Sequence, residues 1–214
     1  MHSAGLSADP NVGDKNAFGN GTFNTPSLIE AADTAPFFHD AIEINSKGVI
    51  NIDNAVTFYA NVAFTSSVAA RQLEERFGTP LVLSAEDSGK IARFLRVLNA
   101  VLNVDIATQR LDAASTLADQ LGDERADVQL KLLELSRVEV DDALDDLNAG
   151  GSAIYPVAVE GIQAARVAIE AGLAAGSAGD RQNAIDDARA SMRSIRGEFG
   201  THVDFQLGEG NLMY

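Results

Sequence analysis

The chain has 214 residues, of which 16 are basic and 31 acidic, and its formal net charge is −15 at pH 7. Such a negative charge repels the phosphate backbone, so nucleic acid is excluded as a favoured partner. Apolar residues make up 46% of the chain, too many for a disordered protein. No stretch approaches the roughly 18 consecutive apolar residues of a membrane-spanning helix. The sequence therefore predicts a soluble globular protein of one large domain or two small ones.

Cysteine is absent from the chain. Disulfides, iron–sulfur clusters, cysteine-ligated zinc, a cysteine nucleophile and thioether-attached haem are therefore excluded within it. The first ten residues lack the basic start and the apolar run of about 7–15 residues that mark a secretory signal. Two interpretations stay open: the protein remains in the cytoplasm, or the chain is a mature or truncated piece of an exported protein.

Composition divides the chain into residues 1–104 and 105–214. The first part holds eight of the ten Phe and four of the five Pro, with 7 basic and 11 acidic residues. The second part holds 9 basic and 20 acidic residues and is rich in Ala and Leu. We therefore predict two domains with a boundary after residue 104.

The first fifty residues favour loops, because Gly, Asn, Asp and Pro recur at short intervals without helical or alternating periodicity. A helix is predicted from Asp53, which is a residue type common at N-caps. Its buried side is predicted to contain Ala55, Val56, Tyr59 and Val62.

The strongest helix-start signal in the chain is at Ser84, where a capping hydroxyl precedes Glu86 and Asp87 in the first turn. The helix that follows is predicted to bury one stripe of apolar residues at helical spacing: Ile91, Phe94, Leu95, Leu98 and Leu102.

Four further apolar stripes follow residue 105, and the last of them contains Ile185, Ala188, Met192, Ile195 and Phe199. Short glycine-containing breaks separate the stripes at 122–123, 149–152 and 176–179. Helical stripes with short breaks indicate antiparallel helices, packed as a bundle or as a pair of helical hairpins. The predicted fold class is therefore mainly α.

Four segments of the first half carry a more specific pattern. They read Phe-Asn-Thr-Pro-Ser-Leu at 23–28, Thr-Ala-Pro-Phe-Phe-His-Asp at 34–40, Asn-Ala-Val-Thr-Phe-Tyr at 54–59 and Leu-Ser-Ala-Glu-Asp at 83–87. In this order the block, which covers roughly residues 14–100, resembles the carboxyl-terminal haem domain of bacterial di-haem cytochrome c peroxidases and their MauG-like relatives. The resemblance implies a partial cytochrome c-like domain of long loops and helices in residues 1–104, followed by an acidic helical bundle in residues 105–214.

The chain also departs from that family. It lacks the Cys-x-x-Cys-His motif that attaches haem c covalently, together with the helix that carries the motif. Ala41 stands where the family usually has Gly, and the segment 43–50 contains more residues than the corresponding segment of the family. The resemblance thus implies haem c as the cofactor but leaves no covalent attachment site in this chain. A missing haem-bearing domain or subunit is therefore an expected partner.

The resemblance also implies a set of haem-contacting residues. Tyr59 matches the axial-ligand position, where the peroxidases use Met and MauG-like proteins use Tyr, so its phenolate is a candidate ligand of the haem iron. The alternative is that Tyr59 is an amphipathic core residue of its helix. His39 matches a loop histidine near the haem, where Pro36 would restrict the backbone and Phe37 or Phe38 would give apolar cover. The alternative for His39 is a loop residue with satisfied hydrogen bonds.

The second half contains one dense cluster of carboxylates at helical spacing: Glu139, Asp141, Asp142, Asp145 and Asp146. Such a cluster can hold a hard cation such as Ca²⁺, but without an EF-hand spacing a solvated helix face is the favoured interpretation. The cluster also makes a small basic cytochrome a candidate electron donor, since complementary charge speeds encounter.

These observations lead to two alternative functions. The first is the carboxyl-terminal part of a di-haem cytochrome c peroxidase-like electron-transfer protein, which reduces hydrogen peroxide. That resemblance implies a periplasmic oxidoreductase, and it implies that this chain is inactive by itself. The alternative is a haem-free helical interaction or scaffold module derived from a cytochrome domain.

Overall fold

The computed structural model describes residues 52–121, 126–149, 151 and 153–199. Of these residues, 86% are helical and none lies in a strand, which confirms the predicted mainly-α class. Two compact units are distinguished, and their described parts are residues 52–95 and residues 96–199.

The first unit begins with three short helices: α1 (Ile52–Phe58), α2 (Val62–Thr65) and α3 (Val68–Phe77). Asp53 lies inside the first turn of α1, so the prediction that it is the N-cap is wrong. The helix is also shorter than predicted and ends before Tyr59. Asn61 then starts a separate helix, since its Oδ1 accepts hydrogen bonds from the backbone N–H of Ala63 and Phe64.

A small core holds these helices together. It consists of three buried side chains, Phe58, Phe64 and Ala69, with Tyr59, Ala70 and Leu73 packed against them. Val62, which the predicted stripe included, is instead 78% exposed, because the chain turns between α1 and α2. α3 ends at Gly78, whose φ of 74° is left-handed and whose N–H donates to Glu74 O at 2.7 Å.

The long helix α4 (Ala85–Leu121) has 37 residues and begins where the sequence predicts. The N–H of Asp87 donates to Ser84 Oγ at 3.0 Å, and the backbone N–H of Ser84 donates to the Asp87 carboxylate at 3.4 Å. These reciprocal bonds form a capping box, with Asp in the place of the usual Glu. The hydrogen bond from the Ser84 side chain also lowers the pKa of Asp87. The division between the units falls within α4, as does the boundary predicted after residue 104, which stays a prediction.

The apolar stripe predicted for α4 is correct only in part. Leu95 and Leu98 are buried, but Ile91 and Phe94 are 38% and 48% exposed. Every residue from 95 to 101 is buried, including two polar ones. Because seven consecutive residues go round the helix almost twice, burial here is not confined to one face.

The second unit contains the rest of α4 and three more helices, α5 (Ala126–Asn148), α6 (Pro156–Ala174) and α7 (Ala178–Arg196), followed by a 3-10 turn (Gly197–Phe199). The ends of these helices agree with the predicted glycine-containing breaks. α5 packs against α6, and α6 packs against α7. α4 lies beside α5, because Arg110 reaches Glu139 and Gln129 donates to the carbonyl of Ala114. Residues later in α4 thus meet residues earlier in α5, which makes this pair antiparallel.

Contacts between α4 and α7 close the bundle. Asp105 accepts from Arg196, and Asp112 accepts from Arg189, so these two helices are also antiparallel. Together the pairings describe an up-down-up-down four-helix bundle, which is one of the two packings that the sequence stripes indicated. Its core includes every member of the last predicted stripe, Ile185, Ala188, Met192, Ile195 and Phe199.

Two backbone features set the geometry of α6. A Cβ added at Gly161 would overlap the Cγ2 atom of Ile195, so α6 and α7 approach closely at this point because Gly161 has no side chain. Tyr155, just before Pro156, has a left-handed φ of 55°. Its ring packs edge-on against Phe199, with 5.5 Å between the ring centroids. This contact holds the start of α6 against the 3-10 turn that follows α7.

Candidate functional site

Tyr59 directly follows α1, and its ring contacts the rings of two phenylalanines, which also contact each other. The ring centroids are 5.6 Å from Phe58 and 4.8 Å from Phe64, and both contacts are edge-to-face. Burial raises the pKa of the Tyr59 phenol above its ordinary value. The neutral phenol is therefore favoured, whereas iron ligation uses the phenolate. This environment fits the core-residue alternative. Ligation of iron by Tyr59 stays a prediction, and it requires that the positive charge of the metal offset the free-energy cost of burying a phenolate.

The other predicted haem-contacting residues, Pro36, Phe37, Phe38 and His39, lie outside the described residues. Their roles stay predictions, and so does their proximity to Tyr59.

An open apolar cleft of about 230 Å³ lies at the end of α3, lined by Leu73, Phe77, Thr79, Pro80 and Leu81. Phe77 is 66% exposed, and its ring is covered on one side by the guanidinium of Arg76, 5.6 Å from the ring centroid. The cleft is smaller than the about 300–1,000 Å³ of typical small-molecule pockets, so it does not by itself offer room for a tetrapyrrole.

The acidic cluster of α5 is not the solvated face that the sequence favoured. Glu139 accepts a hydrogen bond from Arg110 of α4 at 2.6 Å, and Asp141 accepts one from Arg166 of α6, also at 2.6 Å. Asp146 is buried. Three of the five acids therefore lie between helices, where the arginines or the bundle interior surround them. Among the described residues, no group of three or more acidic, histidine or cysteine side chains is arranged to hold a metal ion.

A second ion-pair network joins α4 to α7 around Asp112. Its Oδ1 accepts from Arg189 Nε at 2.7 Å and from Arg193 at 2.8 Å, and Arg189 also donates to Ser115 at 2.9 Å. Burial by itself raises the pKa of Asp112, but the hydrogen bonds and charges of the two arginines outweigh it and lower the pKa overall. A carboxylate held ionised in this way clamps two helices and is unsuited to proton transfer at neutral pH.

A buried polar seam, which we define as Arg96, Asn99 and Asn103, occupies the middle of α4. All three residues are at most 5% exposed, and their spacing of three and four places them on one helix face. Burial lowers the pKa of Arg96, and the charge of Asp146 partly offsets the effect. The sequence contains a signal for this seam, since three polar residues recur at helical spacing among the apolar residues 95–104.

No protein family, curated protein or solved structure matches the chain. In the described ranges, no helix combines the length and apolar character needed to cross a bilayer. The whole chain has no cysteine and hence no site for covalent attachment of haem c.

Proposed function

We propose that the chain is the carboxyl-terminal part of a periplasmic, di-haem cytochrome c peroxidase-like electron-transfer protein, extended by the four-helix bundle. One observation carries the proposal: four short segments between residues 23 and 87 follow one another in the order found in that family. Two helices support it, since α1 ends beside Tyr59 and α4 begins after Ser84, where the resemblance expects a helix end and a helix start.

The residues of this chain do not fit a covalent haem site, because no cysteine is available. The proposal therefore assigns the covalent haems and peroxide reduction to a haem-bearing domain or subunit that contacts this chain. Exposed apolar side chains of the first unit, among them Phe77 and Val82, provide surface for such a contact. We expect this chain to have no peroxidase activity by itself.

A small basic cytochrome is the proposed electron donor. The net charge of −15 supports this choice, because opposite charge speeds the encounter of two proteins. Glu139 and Asp141 already pair with arginines of neighbouring helices, so the attraction depends more on exposed carboxylates such as Asp145, Glu160 and Asp187. The encounter rate should therefore fall with salt.

Haemin titration of the purified full chain tests the proposal. We expect a saturable Soret band that changes position in Tyr59→Phe, because this variant removes the candidate iron ligand. Tyr155→Phe, in the second unit, is the matched control and should leave the spectrum unchanged. If no Soret band develops, ligation of haem iron by Tyr59 of this chain fails and the scaffold alternative is favoured.

The haem-free scaffold alternative is supported by a different observation. The second unit buries apolar side chains from each of its four helices, and ion pairs connect α4 to α5 and α7. A bundle of this kind needs no cofactor to fold. The alternative predicts cooperative unfolding of the haem-free chain with a midpoint that haemin does not change, whereas specific haemin binding would raise that midpoint.

A further inference from the structure

The polar seam of α4 contains the most completely buried amide among the described residues. Asn99 is 0% exposed, and within the described part of the chain neither its Nδ2 nor its Oδ1 has a hydrogen-bond partner. Asn103 is 5% exposed, and its Nδ2 is likewise unpaired. Because both amide atoms of Asn99 are unpaired, exchanging its oxygen and nitrogen would not satisfy them. Buried polar groups are almost always hydrogen-bonded, so these atoms call for a partner that the described residues do not supply.

The register of the bundle identifies what else lies near these amides. Gln129 of α5 donates to the carbonyl of Ala114 in the antiparallel α4, and moving fifteen residues along each helix places Asn99 level with Leu144, two residues from Asp146. The electrostatic interaction between Arg96 and Asp146 agrees with this register. The seam therefore presents N–H donors from two amides, one amide oxygen that accepts, and a neighbouring pair of opposite charges.

This combination selects the chemistry of the ligand. An anion would meet the carboxylate of Asp146 and the acceptor oxygen of Asn99, and a cation would meet Arg96 and the amide N–H groups. Water is neutral, both donates and accepts, and is small enough for a closely packed bundle interior. We propose that the polar seam is a binding site for long-lived internal water, which bridges the Asn99 amide to Asn103 and to the α5 residues beside the seam.

Magnetic relaxation dispersion of water oxygen in solutions of the full chain tests the proposal, because it counts water molecules that stay bound for long times. Asn99→Leu keeps a similar side-chain volume and removes both hydrogen-bonding atoms. We expect this variant to lose at least one long-lived water per chain. Gln109→Leu is the matched control, since it removes an exposed amide from the same helix and should leave the count unchanged. An unchanged count in Asn99→Leu would overturn the proposal.

A second measurement covers the case in which Asn99→Leu does not fold, as judged by circular dichroism. A high-resolution crystal structure of the unaltered chain should show ordered water within hydrogen-bond distance of both Nδ2 and Oδ1 of Asn99. An Asn99 amide that is bonded to protein atoms, or that lies in a dry contact, would refute the water site.

Discussion

Gly161→Ala tests the close approach of α6 and α7. The new Cβ would overlap Ile195 Cγ2, which belongs to a β-branched side chain that is only 2% exposed. Such a side chain has few alternative rotamers, so the helices must separate or Ile195 must adopt a strained conformation. Overpacking of this kind typically costs about 1–3 kcal/mol.

The same substitution also has a favourable part. Replacing Gly by Ala in a helix interior stabilises by up to about 1 kcal/mol. With the full gain, we therefore expect Gly161→Ala to lower the free energy of unfolding by a net amount of about 0–2 kcal/mol. In a chain of this size, each kcal/mol corresponds to about 2–4 °C in melting temperature.

Gly89→Ala is the matched control, because a Cβ there would meet no atom within 4 Å. It keeps the helix-propensity gain without the clash and should stabilise the protein by up to about 1 kcal/mol. Urea unfolding followed by circular dichroism measures both variants. If Gly161→Ala is as stable as Gly89→Ala, the close contact between α6 and α7 is wrong.

A double-mutant cycle identifies the atoms responsible. Ile195→Ala removes Cγ2 and should cost about 2–5 kcal/mol by itself, since it leaves a cavity. Combined with Gly161→Ala, it removes the clash, so the double variant should be more stable than the sum of the single effects by about 1–3 kcal/mol. Simple additivity would show that the loss in Gly161→Ala does not arise from Ile195.

Three further predictions concern caps, ion pairs and the buried phenol. Ser84→Ala removes the hydroxyl that caps α4 and should cost about 1 kcal/mol in urea unfolding. Asp112→Asn weakens the clamp to Arg189 and should cost at most about 1 kcal/mol, because the carboxylate is partly exposed. Since the folded-state pKa of Asp112 is lowered, its contribution is present above the pKa of an unfolded aspartate, about 3.9, and disappears as the pH falls through the lower folded value. Tyr59 has a raised folded-state pKa, so unfolding releases its proton more readily and stability falls as the pH rises beyond about 10, an effect that Tyr59→Phe should lack.

Each of these predictions has its own control. Ser84→Asn retains a capping side chain and should stay close to the original stability. The difference in free energy of unfolding between the unaltered chain and Asp112→Asn must become smaller in acid. A difference that is constant from neutral pH to strong acid contradicts the assigned ion pairs. For the phenol, unfolding free energies of the unaltered chain and Tyr59→Phe that fall in parallel above pH about 10 would show that Tyr59 is not protected by burial.

Only part of the candidate site was accessible from the sequence. The motif identifies Tyr59, but its contacts with Phe58 and Phe64 depend on the turn at Asn61. The sequence predicted a continuous helix in place of that turn. The α5 acids were correctly placed on a helix. Their partners, Arg110 and Arg166, lie on other helices, and no local pattern connects them.

Local patterns in the amino-acid sequence specify where the long helices begin and end. Ser84 caps its own helix, and glycine-containing segments interrupt helices, through interactions that reach only a few residues along the chain. Tertiary structure decided which surfaces are buried: Phe94 is exposed, whereas Asn99 is enclosed. Burial depends on which distant helices surround a residue, and hydrophobicity along one helix does not specify those neighbours.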